Sequence, residues 1–260
     1  MKALITLLWA ITFLYAMPIV KNCDDSYKKL WQLYKSSSDE EVRMRMESCT
    51  FSDPIAFDSM NVLKAVLYYS EDKYHESLEA LTFSRKRIEQ YYALRNISLP
   101  KGNSKKDIES LYFIMVSLTA NTYYVLGEYK NALQYYEQWI SSAKAGAFPL
   151  SPEILETAAY SNYYLKKYEP ALLYMKNAYQ ISEVFEKRMQ YAYNISAFYA
   201  RLKDNESSIK WLKIPMNVNR SLYFEKVYKD GDFYFIRQTE AFKKTFGIQE
   251  NNSTIISNEW

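Results

Sequence analysis

Histidine occurs once in the 260 residues, cysteine twice and glycine five times, and these scarcities exclude much of the chemistry a chain of this length can house. With His75 alone, beside Glu76 near a turn, neither a histidine-based triad nor a multi-histidine metal site has its material, and a solvated loop histidine is the plainer reading. No glycine-rich phosphate loop, Gly-x-Ser-x-Gly elbow or paired-cysteine metal knuckle is present. Five glycines and seven prolines also fall short of the turn supply that an all-β fold consumes. Charge of one sign is lacking too: 33 basic against 30 acidic side chains leave +3, too little to concentrate the protein on nucleic acid. The sequence therefore calls for no catalytic residue, no metal and no cofactor.

What is abundant points to helices. Hydrophobic residues make up 48% of the chain, enough for a sizeable core, and 26 of the residues are tyrosine. The opening "MKALITLLWAITFLYAMPIVKNC" has one lysine, an apolar run from Ala3 to Ala16 and then a polar segment. This pattern reads as a secretory signal over 1–16, with a retained membrane anchor extending to 20 as the alternative. Export to the periplasm follows from the first reading, and membrane contact through the N-terminal segment alone from the second. Cys23 and Cys49 bracket a helical hairpin over 24–50, with one helix ending near Lys35 and another starting at "SSSDEE". Two antiparallel helices bring those ends together, so an oxidising compartment predicts a Cys23–Cys49 disulfide; two free thiols are the alternative.

Further along, apolar residues at helical spacing come in pairs of blocks. The divisions fall at "SEDKY", "LGEYK", "LKKYEP" and "LKDNES", and a longer connection runs through "ALRNISLPKGNSKK". Tyr74, Tyr129 and Tyr168 each open a second helix, followed three positions later by Ser77, Ala132 and Ala171; Asn205 and Ser208 take these places in a weaker copy. The separations from Ala132 to Ala171 and on to Ser208 are 39 and 37 residues, the period of helical-hairpin arrays. A small side chain is needed where two helices cross closely, because a larger one forces the axes apart.

These residues resemble the tetratricopeptide repeat. In "SLYFIMVSLTANTYYVLGEYKNALQYYEQWI" the family's positions match Ala120, Tyr123, Gly127, Tyr129, Ala132 and Tyr136. In "SPEILETAAYSNYYLKKYEPALLYMKNAYQISE" they match Ala159, Asn162, Lys166, Tyr168, Ala171 and Met175, with Ala178 at the last small position. Glycine is absent from most turns, and Trp139 stands where alanine is usual. The resemblance implies an all-α fold: an α-solenoid of antiparallel hairpins wound into a right-handed superhelix, with the array over 57–214. The closing "VYKDGDFYFIRQTEAFKKTF" is similar to a bacterial Asp-x-Asp-Phe cap, matching Asp230, Asp232, Phe233, Ile236, Arg237 and Phe242. It places capping helices over 217–247, a flexible tail over 248–260, and Arg237 in an ion pair or at a helix end.

The carboxylates of "SSSDEE" and "SEDKYHE" sit at helix starts, where capping accounts for them. The basic clusters Arg85–Arg87 and Lys101–Lys106 read as a solvated face, with an acidic partner or anionic headgroups as the alternative. Asn-x-Ser/Thr triplets begin at Asn96, Asn194, Asn205, Asn219, Asn251 and Asn252, and count as glycan acceptors only in a eukaryotic exporter. Most tyrosines are expected in the core. In the repeat family the inner helices line a concave face, and the resemblance puts Ser117, Asn121, Tyr124, Glu156, Tyr160, Tyr163, Tyr193 and Arg201 on it, a lining suited to a protein or extended peptide. The rhythm is also similar to periplasmic repeat proteins associated with TonB-type energy transduction, which implies TonB-system components as partners. The resulting expectation is a non-enzymatic exported adaptor that can support TonB-dependent outer-membrane transport. The alternative is a membrane-anchored structural or envelope-assembly component.

Overall fold

The computed structural model describes residues 21–23, 27–51, 53–93, 105–144 and 150–248. The expected signal or anchor, most of the tail, the sequons at Asn96, Asn251 and Asn252, and residues 101–104 of the second basic cluster lie outside them. The chain divides into two compact units, Met1–Thr122 and Tyr123–Trp260. The described part is all-α apart from one two-residue strand pairing.

The first unit holds α1 (Tyr27–Ser36), α2 (Asp39–Glu47), α3 (Pro54–Ser70), α4 (Tyr74–Ala93) and most of α5 (Lys105–Val125). Ser38 caps α2 by accepting from the Glu41 amide at 3.3 Å. Asp53 caps α3 through the amides of Ile55 and Ala56, at 3.0 and 2.8 Å, with Pro54 in the first turn where no amide donor is needed. Leu30 and Val42 from α1 and α2 bury against Ala56, Met60, Leu63 and Leu67 of α3. The sequence reading contains no strand, yet β1 (Lys21–Asn22) pairs in parallel with β2 (Cys49–Thr50). The reason is local: the Cys23–Cys49 disulfide, with its Cα atoms 5.5 Å apart, holds the two segments side by side, and the Cys23 amide donates to the Thr50 carbonyl at 2.9 Å.

The second unit continues with α6 (Tyr129–Lys144), α7 (Pro152–Tyr164), α8 (Tyr168–Ile181), α9 (Phe185–Arg201), α10 (Asn205–Val218) and α11 (Arg220–Lys229). Two 3₁₀ turns, Gly231–Phe233 and Ile236–Gln238, and α12 (Glu240–Phe246) close it. From α6 through α11, each consecutive pair of helices packs together, and α12 contacts α10. Helix α10 runs past the expected end at Ile214 to Val218, because Pro215 is itself buried and its carbonyl accepts from the Asn219 amide at 3.0 Å. Asp230 separates α11 from the first 3₁₀ turn, its carboxylate accepting from the Asp232 amide at 2.9 Å.

Four turns share one geometry. Asp72, Gly127, Lys166 and Lys203 lie at φ 60°, 76°, 59° and 61°, each two residues before the next helix begins. In each turn the following amide reaches back to the carbonyl five residues earlier: Lys73 to Tyr68, Glu128 to Tyr123, Lys167 to Asn162 and Asp204 to Tyr199, at 2.8 to 3.0 Å. This is the left-handed helix stop that favours glycine, met here with glycine only at 127. The small residues also recur as expected. Ser77, Ala132, Ala171 and Ser208 are all fully buried, as are Ala65, Ala120, Ala159 and Ser196, each twelve residues earlier. Serines among them also hydrogen-bond within their units: the Ser77 hydroxyl donates to the Ala65 carbonyl at 2.9 Å, and Ser208 and Ser196 donate to one another's carbonyls at 2.8 and 2.7 Å.

Candidate functional site

In the second unit, α7 and α9 bring Tyr160, Tyr163, Glu156, Tyr193 and Arg201 onto one polar and aromatic surface that the first 3₁₀ turn also joins. Tyr160 and Tyr163 are separated by one helical turn and leave α7 on the same side. The Tyr160 hydroxyl accepts from the Asn194 amide group at 2.7 Å. Tyr163 lies parallel to Phe198, with ring centroids 5.1 Å apart, and donates to both oxygens of Asp232 at 2.7 Å. Tyr193 donates to Asp230 at 2.9 Å. Arg201 stands 3.6 Å from Asp232 and donates to the Tyr168 hydroxyl at 3.1 and 3.3 Å. Glu156 accepts from Tyr191 at 3.1 Å and faces Lys187 at 3.5 Å.

Burial sets the electrostatics here. It pushes the Tyr160 hydroxyl up to about 12, with Glu156 adding to the rise. Tyr163 and Tyr193 are also raised by burial, then by the aspartates they donate to. Asp232 lies above the usual carboxylate range because burial and neighbouring Asp230 outweigh the help of Tyr163 and Arg201. Next to this network, Tyr124, Tyr129 and Tyr164 form an aromatic cluster. Tyr129 stacks on Tyr164 at 4.5 Å, Tyr124 meets both, and Tyr164 keeps 48% of its surface exposed.

The structure thus unites Glu156, Tyr160, Tyr163, Tyr193 and Arg201, with Tyr124 in the adjoining aromatic cluster. Within this surface the Tyr163 and Tyr193 hydroxyls are engaged by the chain's own Asp232 and Asp230, while Arg201, its side chain 41% exposed, faces Asp232. Position within a repeat cannot reveal this, because the cap is specified 29 or more residues beyond Arg201. In the first unit, the Ser117 hydroxyl turns back to the Ile114 carbonyl at 3.0 Å, and Asn121 is half-buried. Tyr164 was not among the expected lining residues; its place one turn beyond Tyr160 is the signal that locates it. Arg237 is at a helix end as expected, donating to the carbonyls of Val227 and Tyr228.

Other motifs resolve into structural contacts. Of the Arg85–Arg87 cluster, Arg85 pairs with Glu89 at 3.0 Å and Arg87 reaches the fully buried Asp58 at 2.8 Å, while the two arginine side chains stay 41% and 40% exposed. Burial raises Asp58, against the opposing pull of Ser84 and Arg87. An open cleft of about 290 Å³ lies against α2 and α3, but its Arg43 is paired with Glu71 and its Lys64 sits over Tyr68 at 5.5 Å. His75 is exposed. Asn194 is buried in α9, whereas Asn219 caps α11, accepting from the Leu222 amide at 3.0 Å. Among the described residues no cluster of His, Cys, Asp or Glu is arranged to hold a metal ion, and no helix is long and apolar enough to cross a membrane.

No family model matches the chain, and no curated protein matches it significantly. Among solved structures, it is similar to the crystal structure of BtubC (BKLC) from P. vanneervenii, with 14% identity over 85% of this chain and 87% of that one and a TM-score of 0.53. At that identity the likeness concerns the fold alone.

Proposed function

We propose that this protein is a non-enzymatic, exported adaptor. Its helix pairs form a tetratricopeptide-type α-solenoid, and the tyrosine surface of α7 and α9 is where a protein or extended peptide docks. The observation that carries this reading is the aromatic cluster around the half-exposed Tyr164, set beside a network of directed hydroxyls. Tyrosine offers large contact area with little rotamer entropy to lose, and its hydroxyls orient a peptide backbone. Repetition of one left-handed turn and of buried small pairs supports the solenoid, and the Cys23–Cys49 disulfide supports an oxidising compartment. A role beside TonB-type transport is one setting for such an adaptor.

Affinity capture from the native periplasm with wild-type protein and a Tyr124→Ala, Tyr164→Ala variant tests the reading. Recovery of a protein partner by the wild type, and its loss with the folded variant, is expected. Equal recovery by both removes the surface from consideration. The mature N-terminus distinguishes the soluble adaptor, starting near Met17, from an anchored protein that keeps Met1.

A further inference from the structure

The chain itself supplies a ligand for part of this surface. Two carboxylates, Asp230 and Asp232, are held by Tyr193, Tyr163 and Arg201 through contacts of 2.9, 2.7 and 3.6 Å. We propose that these three residues form a receptor for a partner segment carrying paired carboxylates, and that Asp230–Asp232 is a built-in pseudo-ligand which such a segment displaces. The proposal rests on the adaptor reading and names the partner's chemistry.

Three features separate this contact from ordinary capping. First, the cap is anchored without it: Phe233, Ile236, Phe242 and Phe246 are buried, and Arg237 holds the carbonyls at the end of α11. The cap thus has apolar and hydrogen-bonded anchors besides the two aspartate side chains. Second, the contact is imperfect. Arg201 stands 3.6 Å from Asp232 and turns its Nε and Nη2 to the Tyr168 hydroxyl instead, so its hold on this carboxylate is loose and a better-placed carboxylate can compete for it. Burial next to Asp230 also disfavours the ionised form of Asp232. Third, there is room to move. A Cβ at Gly231 would meet nothing within 4 Å, and Tyr234 and Phe235 after it are 54% and 67% exposed. Charge complementarity fixes the class of occupant: a cation and two hydroxyl donors that already grip carboxylates suit an acidic segment.

Fluorescence anisotropy with a labelled Lys-Asp-Gly-Asp-Phe peptide, and its Asn-Gly-Asn counterpart as control, tests this on the full chain. An Asp230→Asn, Asp232→Asn variant is expected to bind the acidic peptide at least tenfold tighter than wild type and to ignore the control. Adding Arg201→Ala should abolish binding. Equal affinity of variant and wild type, or binding that survives Arg201→Ala, overturns the proposal. Should the double variant fail to fold, hydrogen exchange at the wild-type Asp232 amide serves instead: millimolar acidic peptide accelerates it if the segment is displaced, and an unchanged rate sinks the idea. Binding of the neutral control through Tyr164, without any effect of the aspartates, defeats this inference but leaves the adaptor standing. If no partner shows any dependence on Tyr164, the adaptor itself is defeated.

Discussion

At the residue scale, the four turns show how side-chain identity and backbone geometry can disagree. Asp72, Lys166 and Lys203 hold a left-handed conformation that costs a non-glycine residue about 1–2 kcal/mol. Glycine relieves that strain and returns part of the gain through the greater freedom of its unfolded chain. Lys166→Gly should therefore stabilise the second unit by about 0.5–1 kcal/mol, and Gly127→Ala should destabilise it by about 1 kcal/mol, both read from urea denaturation midpoints. Equal midpoints for all three proteins contradict the turn assignment. Gly127 was legible in the sequence as a turn because its residue type matches its geometry. Lys166 was placed through its repeat position alone, since lysine carries no preference for this conformation.

At the element scale, the close approach of paired helices depends on small residues. Ala171 is fully buried in α8, so Ala171→Leu should cost about 3 kcal/mol by forcing the axes apart, whereas Leu173→Ala, at a position 60% exposed, should change stability little. Thermal denaturation of the two variants checks this, and a neutral Ala171→Leu speaks against close packing there. The first hairpin depends on a covalent link as well. The disulfide closes a separation of 26 residues, for which chain entropy predicts about 3.5 kcal/mol. A Cys23→Ser, Cys49→Ser variant should expose α1 and α2 to protease before the second unit is cut. Unchanged digestion denies the staple that role. Helix boundaries were largely readable, because caps such as Asp53, Ser151 and Asp204 sit at the places their residue types favour. Helix α10 extends to Val218, with Pro215 buried inside it, a few residues past the array end at 214 that the repeat pattern gives.

On the scale of the whole molecule, tyrosine chemistry sets a pH limit for the second unit. Tyr124, Tyr160, Tyr163, Tyr191 and Tyr193 are all raised, each chiefly by burial. Because the folded values exceed the ordinary tyrosine value of about 10, the associated stability is intact below that pH and is lost as pH rises towards the folded values. Alkaline titration should show tyrosinate absorbance from these residues appearing together with loss of helical circular dichroism. Full, reversible ionisation with helix intact contradicts their burial. The sequence by itself determined the helical class, the repeating turns, the small residues at the crossings and the paired cysteines, because each follows from local propensity or from a period along the chain. Only the tertiary structure decided that Tyr163, Tyr193 and Arg201 hold Asp230 and Asp232, and that Arg87 reaches Asp58. Such contacts join elements distant in sequence, and which buried polar group finds which partner is settled by packing rather than by any pattern a single strand of residues carries.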